Sequence, residues 1–285
     1  MRISKNQIKF IRSLSQKKVR DSEQLFIAEG EKCVRELLQS FEPFLIASSS
    51  PLSGIHTLEA TEMEIQQMSQ LRHPQGVVAV FKMPTMVDLN AAFKMPELAD
   101  LNAAFKMPEL ADLNASFKML ISQEATAASG LMLALDGVQD PGNLGTIIRT
   151  ADWFGIEEII CSQDTVDCWN PKVVQATMGA LARVHVHYIN LYSFILNVLQ
   201  SNQDGNNYPI YGTLLDGKNM YSPDAIPSKQ RGIIIMGNEG NGISSAIRSL
   251  ITHPLYIPSF PAERPTSESL NVGIATAIIL AEFRR

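Results

Sequence analysis

The second half of the sequence alternates short apolar runs with amphipathic segments, and this pattern restricts the fold more than any other feature. Six apolar runs are predicted as strands, over 131–135, 156–161, 184–189, 210–215, 232–236 and 255–257. Apolar residues at helical spacing predict helices over 144–154, 171–182, 191–200, 243–251 and 271–284. Strands that are apolar on both faces and alternate with helices predict an α/β fold, with a parallel sheet covered on both sides.

Residues 1–80 predict a second, smaller α/β unit. Ile8, Ile11 and Leu14 recur at helical spacing, and an apolar stretch over 25–28 is strand-like. A further helix over the residues after Gly30 and a β-branched strand over 76–81 complete the pattern. We therefore predict a small N-terminal domain over 1–80 and a larger domain over 125–285.

Between these two domains lie three tandem copies of a 12-residue unit, over 81–92, 93–104 and 105–116. The second and third copies differ only at Ala104 and Ser116, which indicates a recent duplication. A period of 12 matches none of the usual solenoid repeats, whose periods are about 20–50 residues. We interpret 81–124 as an expanded linker between the domains; a repeat-based binding module is the alternative.

Composition excludes several classes of protein. No segment approaches the ~20 apolar residues of a membrane span, and the N-terminus lacks the apolar run of a secretory signal. The three cysteines, Cys33, Cys161 and Cys168, form no Cys-x-x-Cys pair, and the five histidines show no metal-ligand spacing. We expect a cytoplasmic protein without disulfides, without a metal site and without a membrane segment.

Charge is distributed unevenly along the chain. The net charge is −5, but the first 20 residues carry seven basic and no acidic side chains. A positive patch on an acidic body attracts phosphates to one face. Lys17, Lys18 and Arg20 are the candidates for phosphate contacts; a solvated, lysine-rich helix face is the alternative.

The first motif whose residues could bind or react with a ligand follows the strand over 131–135. It has the sequence Asp-Gly-Val-Gln-Asp-Pro-Gly-Asn over 136–143. Asn143 occupies the position expected for the N-cap of the next helix. Gly145 and Arg149 are four residues apart and are expected to share one face. A guanidinium beside a position without a side chain could hold a closely approaching phosphate. An ordinary surface arginine is the alternative.

Two further motifs follow later strands. The segment 237–242 holds three glycines in six residues, which allows a sharp turn and close backbone approach to a ligand. Glu239 within it suits a cationic or hydroxyl-bearing ligand, because a carboxylate would repel phosphate. In the third motif, Ser269 is expected to cap the closing helix. Loops at the carboxyl ends of parallel strands are the usual ligand sites of such sheets.

In this order and at these distances, the three motifs resemble the SpoU (TrmH) family, within the SPOUT class of RNA ribose methyltransferases. The resemblance covers 131–285 closely. It extends to Phe-Ile-Ala-Glu-Gly-Glu-Lys over 26–32, which is similar to the opening of that family's ribosomal-protein-like substrate-binding domain. It implies a deep trefoil knot in the C-terminal domain, a homodimer, and transfer of a methyl group from S-adenosylmethionine to a ribose 2′-hydroxyl.

The resemblance also implies roles for individual residues. Arg149 matches the catalytic arginine, and the reaction side would be lined by Asn143, Glu239, Ser269 and Asn271. The cofactor would contact Thr213, Met236, Gly237, Ile257 and Leu270. Because arginine stays protonated, we expect Arg149 to hold an RNA phosphate rather than to accept a proton. The loop over 259–268 is longer than is usual in the family.

Alternative functions remain at this point. A Rossmann-type enzyme requires a glycine-rich turn directly after its first strand, and the segment 136–143 is a poor match. A non-catalytic RNA-binding protein on the same fold is a second alternative, and a transfer-RNA methyltransferase is a third. Ribosomal RNA is favoured over transfer RNA, because family members with this kind of N-terminal unit act mostly on ribosomal RNA.

Overall fold

The computed structural model describes residues 1–84, 130–201, 208–261, 267 and 269–285. These residues form two compact units. The first contains 1–84, 140–149 and 166–185, and the second contains the other described residues. The repeats from residue 85 onward lie outside the described residues, so the role of the predicted linker over 81–124 and the domain boundaries at 80 and 125 stay predictions.

The N-terminal part of the first unit contains a four-stranded sheet with the order β1-β4-β2-β3. Strands β1 and β4 are antiparallel, as are β2 and β4, whereas β2 and β3 are parallel. The elements are α1 (Lys5–Ser13), α2 (Lys17–Glu23), β1 (Leu25–Glu29), α3 (Glu31–Leu37), β2 (Pro43–Ser48), β3 (Leu58–Glu59), α4 (Glu62–Met68) and β4 (Val77–Lys82).

Strand β1 is buried along its whole length because both faces of its sheet are covered. Leu25 and Ile27 belong to a core formed with α1 and α4, as the period of two along a strand requires. Phe26 points to the opposite face, where its ring centroid lies 4.6 Å from that of Trp169. Trp169 belongs to the segment 166–185, so this later part of the chain completes the core of the first unit.

The second unit is built around a six-stranded sheet with the order β10-β8-β9-β5-β6-β7. The pairs β10–β8, β8–β9, β9–β5 and β5–β6 are all parallel. The elements after the repeats are β5 (Gly130–Asp136), α5 (Pro141–Trp153), β6 (Glu158–Cys161), α6 (Pro171–Thr177), β7 (His185–Tyr188), α7 (Leu191–Ser201), β8 (Ile210–Asn219), β9 (Arg231–Gly237), α8 (Ser245–Arg248), β10 (His253–Tyr256) and α9 (Val272–Arg284).

The predicted α/β fold with a parallel sheet is confirmed. Two predicted helices are shorter than expected. The helix predicted over 171–182 ends at Thr177, because Met178 and Gly179 adopt left-handed backbone with φ of 54° and 94°. The helix predicted over 243–251 is reduced to Ser245–Arg248. The sequence did not predict β2, β3 or α4.

Within the described ranges, no helix combines the length and apolar character that crossing a membrane requires. The same residues contain no cluster of three or more His, Cys, Asp or Glu side chains suited to a metal ion. The three cysteines are buried thiols. Burial, together with the nearby Glu36 carboxylate, raises the pKa of the Cys33 thiol to about 12.

Candidate functional site

Two loops leave the sheet of the second unit at neighbouring strand ends. Strand β5 ends at Asp136 and β9 ends at Gly237, and these two residues are paired in register. Because the strands are parallel, the loops that follow them lie at the same edge of the sheet. This edge is where the sequence predicted a ligand site.

The loop over 237–242, called the glycine loop below, is closed by its own backbone. Asn238 and Gly242 exchange two N–H to carbonyl hydrogen bonds of 3.0 and 2.9 Å. The Asn238 Oδ1 atom accepts from the backbone N–H groups of Gly240 and Asn241 at 2.8 and 3.1 Å. A Cβ atom at Gly237 would overlap the backbone of Gly242 and Ile243, so the first position of the loop accepts no side chain.

Two cross-loop hydrogen bonds fix the glycine loop to the loop after β5. The Asn238 Nδ2 group donates to the Gly137 carbonyl at 2.7 Å. The Asp136 carboxylate accepts from the Ser244 backbone N–H at 2.7 Å, at the point where the glycine loop enters α8. Sequence reasoning assigned no role to Asp136 or Asn238. Their only signal was their position directly after a buried strand.

A third strand end supports the loop after β5. The Ser162 hydroxyl accepts from the Gly137 backbone N–H at 2.8 Å and donates to the Asp164 carboxylate at 2.6 Å. Gly137 itself has a φ of 72°, a conformation that favours glycine. The turn that carries Asp136 and Gly137 is therefore held from both sides before any ligand binds.

The predicted cofactor residues all belong to the second unit. Strand β8 loses its register with β10 after Gly212, which is opposite Pro254, and regains it at Lys218, opposite Leu255. Residues 213–217 therefore bulge from the sheet. Thr213 begins this bulge, and its hydroxyl donates to the Ile235 carbonyl at 3.3 Å.

The other predicted cofactor residues differ in exposure. Met236 is buried at the end of β9, and Ile257 is partly buried after β10. Leu270, in contrast, leaves 47% of its surface exposed. An exposed leucine is suited to packing against a flat, largely apolar ligand surface.

The N-cap of the closing helix was wrongly predicted. Asn271, not Ser269, caps α9, because its Oδ1 atom accepts from the backbone N–H groups of Gly273 and Ile274 at 3.0 and 3.3 Å. Ser269 is exposed before the helix, and Glu239 is exposed on the glycine loop. The catalytic roles predicted for these three residues stay predictions.

The comparisons with known proteins assign the family. The SpoU rRNA methylase family model matches residues 130–281. The chain belongs to the SpoU rRNA methylase family. The model of the MRM3-like substrate-binding domain matches residues 5–79. The predicted family and the class of enzyme, an RNA methylase, are thereby confirmed.

The similarity to known proteins extends over nearly the whole SpoU-family chain. The 23S rRNA (guanosine(2553)-2′-O)-methyltransferase RlmP of Bacillus subtilis is 28% identical over 99% of this chain and 97% of its own. A TrmH-family protein from Porphyromonas gingivalis is 35% identical, with a TM-score of 0.74 and coverage of 100% and 99%. An AdoMet-bound rRNA methyltransferase from Sinorhizobium meliloti is 26% identical, with a TM-score of 0.71 and coverage of 99% and 95%.

In this SpoU-family chain the helix after β5 differs from its prediction in two ways. Asp140, not Asn143, caps α5, because its Oδ1 atom accepts from the Asn143 backbone N–H at 2.8 Å. Gly145 is buried, and a Cβ atom there would lie 3.0 Å from the Val173 carbonyl oxygen and overlap Ala176. Gly145 therefore allows α5 and α6 to pack closely, and the predicted phosphate approach at this glycine is wrong.

Arg149 lies on the exposed side of α5, in the first unit with Asn143. Glu239, Ser269 and Asn271 belong to the second unit. The predicted catalytic residues are thus divided between the two units, whereas the predicted cofactor residues are all in the second.

Arg20 does not have the exposure that a phosphate contact requires. Its side chain is only 2% exposed, and its Nη2 atom lies 2.6 Å from the Asp167 carboxylate. Its Nη1 atom donates to the carbonyls of Leu14 and Ser15. The prediction of Arg20 as a phosphate contact is therefore wrong. Lys17 is exposed and pairs with Asp21 at 3.1 Å, and Lys18 is exposed; both stay candidates.

Proposed function

We propose that this RNA methylase transfers the methyl group of S-adenosylmethionine to a ribose 2′-hydroxyl in large-subunit ribosomal RNA. The observation that carries the proposal is the glycine loop, which two side chains hold at the carboxyl edge of a parallel sheet in a SpoU-family chain. Full-length similarity to a 23S rRNA 2′-O-methyltransferase supports the choice of substrate.

The cofactor is proposed to bind Thr213, Met236, Gly237, Ile257 and Leu270. Gly237 lets the backbone of Gly242 and Ile243 close tightly against it, which shapes the loop, and the exposed Leu270 provides apolar surface for a nucleoside. S-adenosylmethionine supplies an activated methyl group on a positively charged sulfur. The exposed Glu239 carboxylate on the same loop favours such a cationic ligand.

Arg149 is proposed to hold an RNA phosphate, so that the ribose hydroxyl is oriented for attack. Its exposure on α5 leaves the guanidinium accessible, and its planar fork matches two phosphate oxygens. Because guanidinium does not release its proton at neutral pH, Arg149 positions the nucleophile but does not act as the base. Asn143, Ser269 and Asn271 are proposed to line the reacting groups.

Two measurements test this function. Calorimetry should detect S-adenosylmethionine binding, whereas a non-catalytic RNA-binding protein would give no heat. Mapping 2′-O-methylation in RNA from cells with and without the gene should show one site lost from large-subunit ribosomal RNA. Loss of a site from transfer RNA would contradict the proposed substrate, and an unchanged methylation map would contradict the activity.

We also propose a cytoplasmic homodimer. The closing helix α9 is largely apolar, and Ile274 near its start leaves 54% of its surface exposed. Apolar surface of this kind is typical of an interface between subunits. Light scattering at micromolar concentration should give twice the mass of one chain; a mass of one chain would contradict the proposal. The trefoil knot stays a prediction.

A further inference from the structure

Helix α1 carries a stripe of basic side chains on its solvent face. Lys5, Lys9 and Arg12 are spaced four and three residues apart, so they project from one side of the helix. All three are exposed, α1 contains no acidic residue, and none of the three forms an ion pair within the described part of the chain. The stripe spans about 10 Å along the helix axis at ~1.5 Å per residue.

Two other exposed cations of the N-terminal region are neutralised by neighbouring carboxylates. Arg2 pairs with Glu64 at 3.6 Å, and Lys82 pairs with Glu42 at 2.6 Å. The α1 stripe has no such carboxylate partner among the described residues, so its positive charge stays available to an external anion. Three adjacent cations without a local partner attract a polyanion more strongly than they attract a single small anion.

An exposed aromatic ring lies against the helix that carries this stripe. Phe44, at the start of β2, leaves 53% of its surface exposed. Its ring centroid lies 6.1 Å from that of Phe10, which is half-buried on α1 directly after Lys9. Phe10 therefore supports one side of the Phe44 ring. Phenylalanine gains stability by burial, so a ring kept half exposed against a helix that carries cations is suited to a ligand with both flat bases and phosphates.

We propose that Phe44 stacks on an unpaired base of RNA while Lys5, Lys9 and Arg12 contact the phosphates beside it. The inference rests on the proposed function, and it names the part of the RNA that the N-terminal region binds, a single-stranded loop or bulge. In a duplex the bases are stacked on each other and their faces are closed to a side chain. Only an unpaired base exposes a face to Phe44.

The test separates base stacking from charge by using two probes on the full-length protein. One is an oligoadenylate RNA of about twelve nucleotides, within the range of single-strand site sizes. The other has the same backbone without bases. Phe44→Ala should weaken binding of the oligoadenylate about tenfold and leave binding of the abasic probe unchanged. Met63→Ala is the matched control, because Met63 is a 74% exposed apolar residue on α4, and it should change neither affinity.

Variants of the basic stripe should behave differently. Lys9→Ala combined with Arg12→Ala should weaken both probes and reduce the slope of log affinity against log salt by up to ~1.4, about 0.7 for each phosphate contact. Phe44→Trp should retain oligoadenylate affinity, and the fluorescence of its added indole should be quenched by that probe but not by the abasic one. Phe44→Leu keeps the apolar contact with Phe10 without the ring, and it should lose affinity as Phe44→Ala does.

Three results would overturn the inference. The first is unchanged oligoadenylate binding in Phe44→Leu, and the second is an equal loss for both probes. The third is a wild-type protein that binds oligoadenylate no more tightly than the abasic strand. If the wild type nevertheless methylates ribosomal RNA, the proposed function stands without this surface. If Phe44 is required for RNA binding but no S-adenosylmethionine binds, the surface stands and the proposed function is wrong.

Discussion

The strand-end loops of the second unit and the aromatic cluster of the first unit both join distant parts of the sequence. The loops are joined by hydrogen bonds, and the cluster is joined by packing of aromatic rings. In the loops, the side chains of Asp136 and Asn238 bond backbone atoms more than 100 residues away. In the cluster, Trp169 packs against Phe26 and Phe41 at centroid distances of 4.6 and 5.8 Å, beside the buried Arg20–Asp167 ion pair. One region is held by hydrogen bonds from polar side chains to the backbone, and the other by packing of large side chains.

This difference predicts how substitutions will affect each region. The loops are fixed by two specific polar side chains and by their own backbone, and other positions such as Glu239 are exposed at the edge of the sheet. The aromatic cluster uses the whole volume of its side chains for packing, so each of them is needed for stability. We therefore expect changes in and around the loops to affect ligands or turnover, and changes in the cluster to affect the free energy of unfolding.

The largest effect is expected at Arg149, whose exposed side chain is not needed for packing. Arg149→Ala should lower the single-turnover methylation rate on the order of a thousandfold, because orientation of the nucleophile is lost. Binding of S-adenosylmethionine and the melting temperature should stay close to wild type. Lysine should rescue poorly, since a point charge cannot replace a two-pronged contact. A rate above about a tenth of wild type would contradict the catalytic assignment.

Arg20 is the opposite case, an arginine that is buried and paired. Arg20→Ala should destabilise the protein by about 3–5 kcal/mol, because it leaves the Asp167 carboxylate without its partner. Denaturant unfolding measures this loss. Lys18→Ala is the matched control on the same helix, and it should change stability by less than about 0.5 kcal/mol. An Arg20→Ala variant as stable as wild type would contradict the expectation that substitutions in and beside the aromatic cluster lower the free energy of unfolding.

An intermediate effect is expected in the glycine loop. Gly237→Ala forces a methyl group against the backbone of Gly242 and Ile243, so the loop must shift and S-adenosylmethionine should bind about tenfold more weakly. Gly240→Ala is the control, because a Cβ atom there would meet only the Asn238 Oδ1 atom, at 3.5 Å. Calorimetry distinguishes the two. Equal affinities would show that the ligand does not depend on the shape of this loop.

The smallest effect is expected for the repeats. Deleting residues 93–104, one complete copy, should leave the melting temperature and methyl transfer nearly unchanged, because linker length changes closure entropy only slowly. Thermal unfolding and a methylation assay on the same preparation test this. A large loss in either would mean that the copy packs against the protein or binds RNA.

The parallel sheet could be predicted because strands buried on both faces appear in the sequence as continuous apolar runs. Strand β5, observed as Gly130–Asp136, was predicted over 131–135. Strand β2 carries a weaker signal, since its first two residues, Pro43 and Phe44, are exposed. Its place in the sheet depends on pairing with β4, which local sequence does not encode.

The site could be predicted only where one local motif determines the structure. The glycine loop was found in this way, whereas the N-cap of α5 was not, because Asp140 and Asn143 are both good capping residues. Pro141 at the first helical position is the signal that favours Asp140. The burial of Arg20 could not be predicted, since its partner Asp167 lies 147 residues further along the chain.

The completion of the first unit by Trp169 has a consequence for synthesis of the protein. Once β4 has left the ribosome, roughly ninety further residues must be translated before Trp169 leaves it too, about 5–18 s at ~5–20 residues per second. During that interval the sheet face that carries Phe26 and Phe81 lacks the part of its cover that Trp169 supplies, and the nascent chain presents an apolar surface to chaperones. The duplicated copies over 81–116 lie within this stretch, so each added copy lengthens the wait by 12 codons.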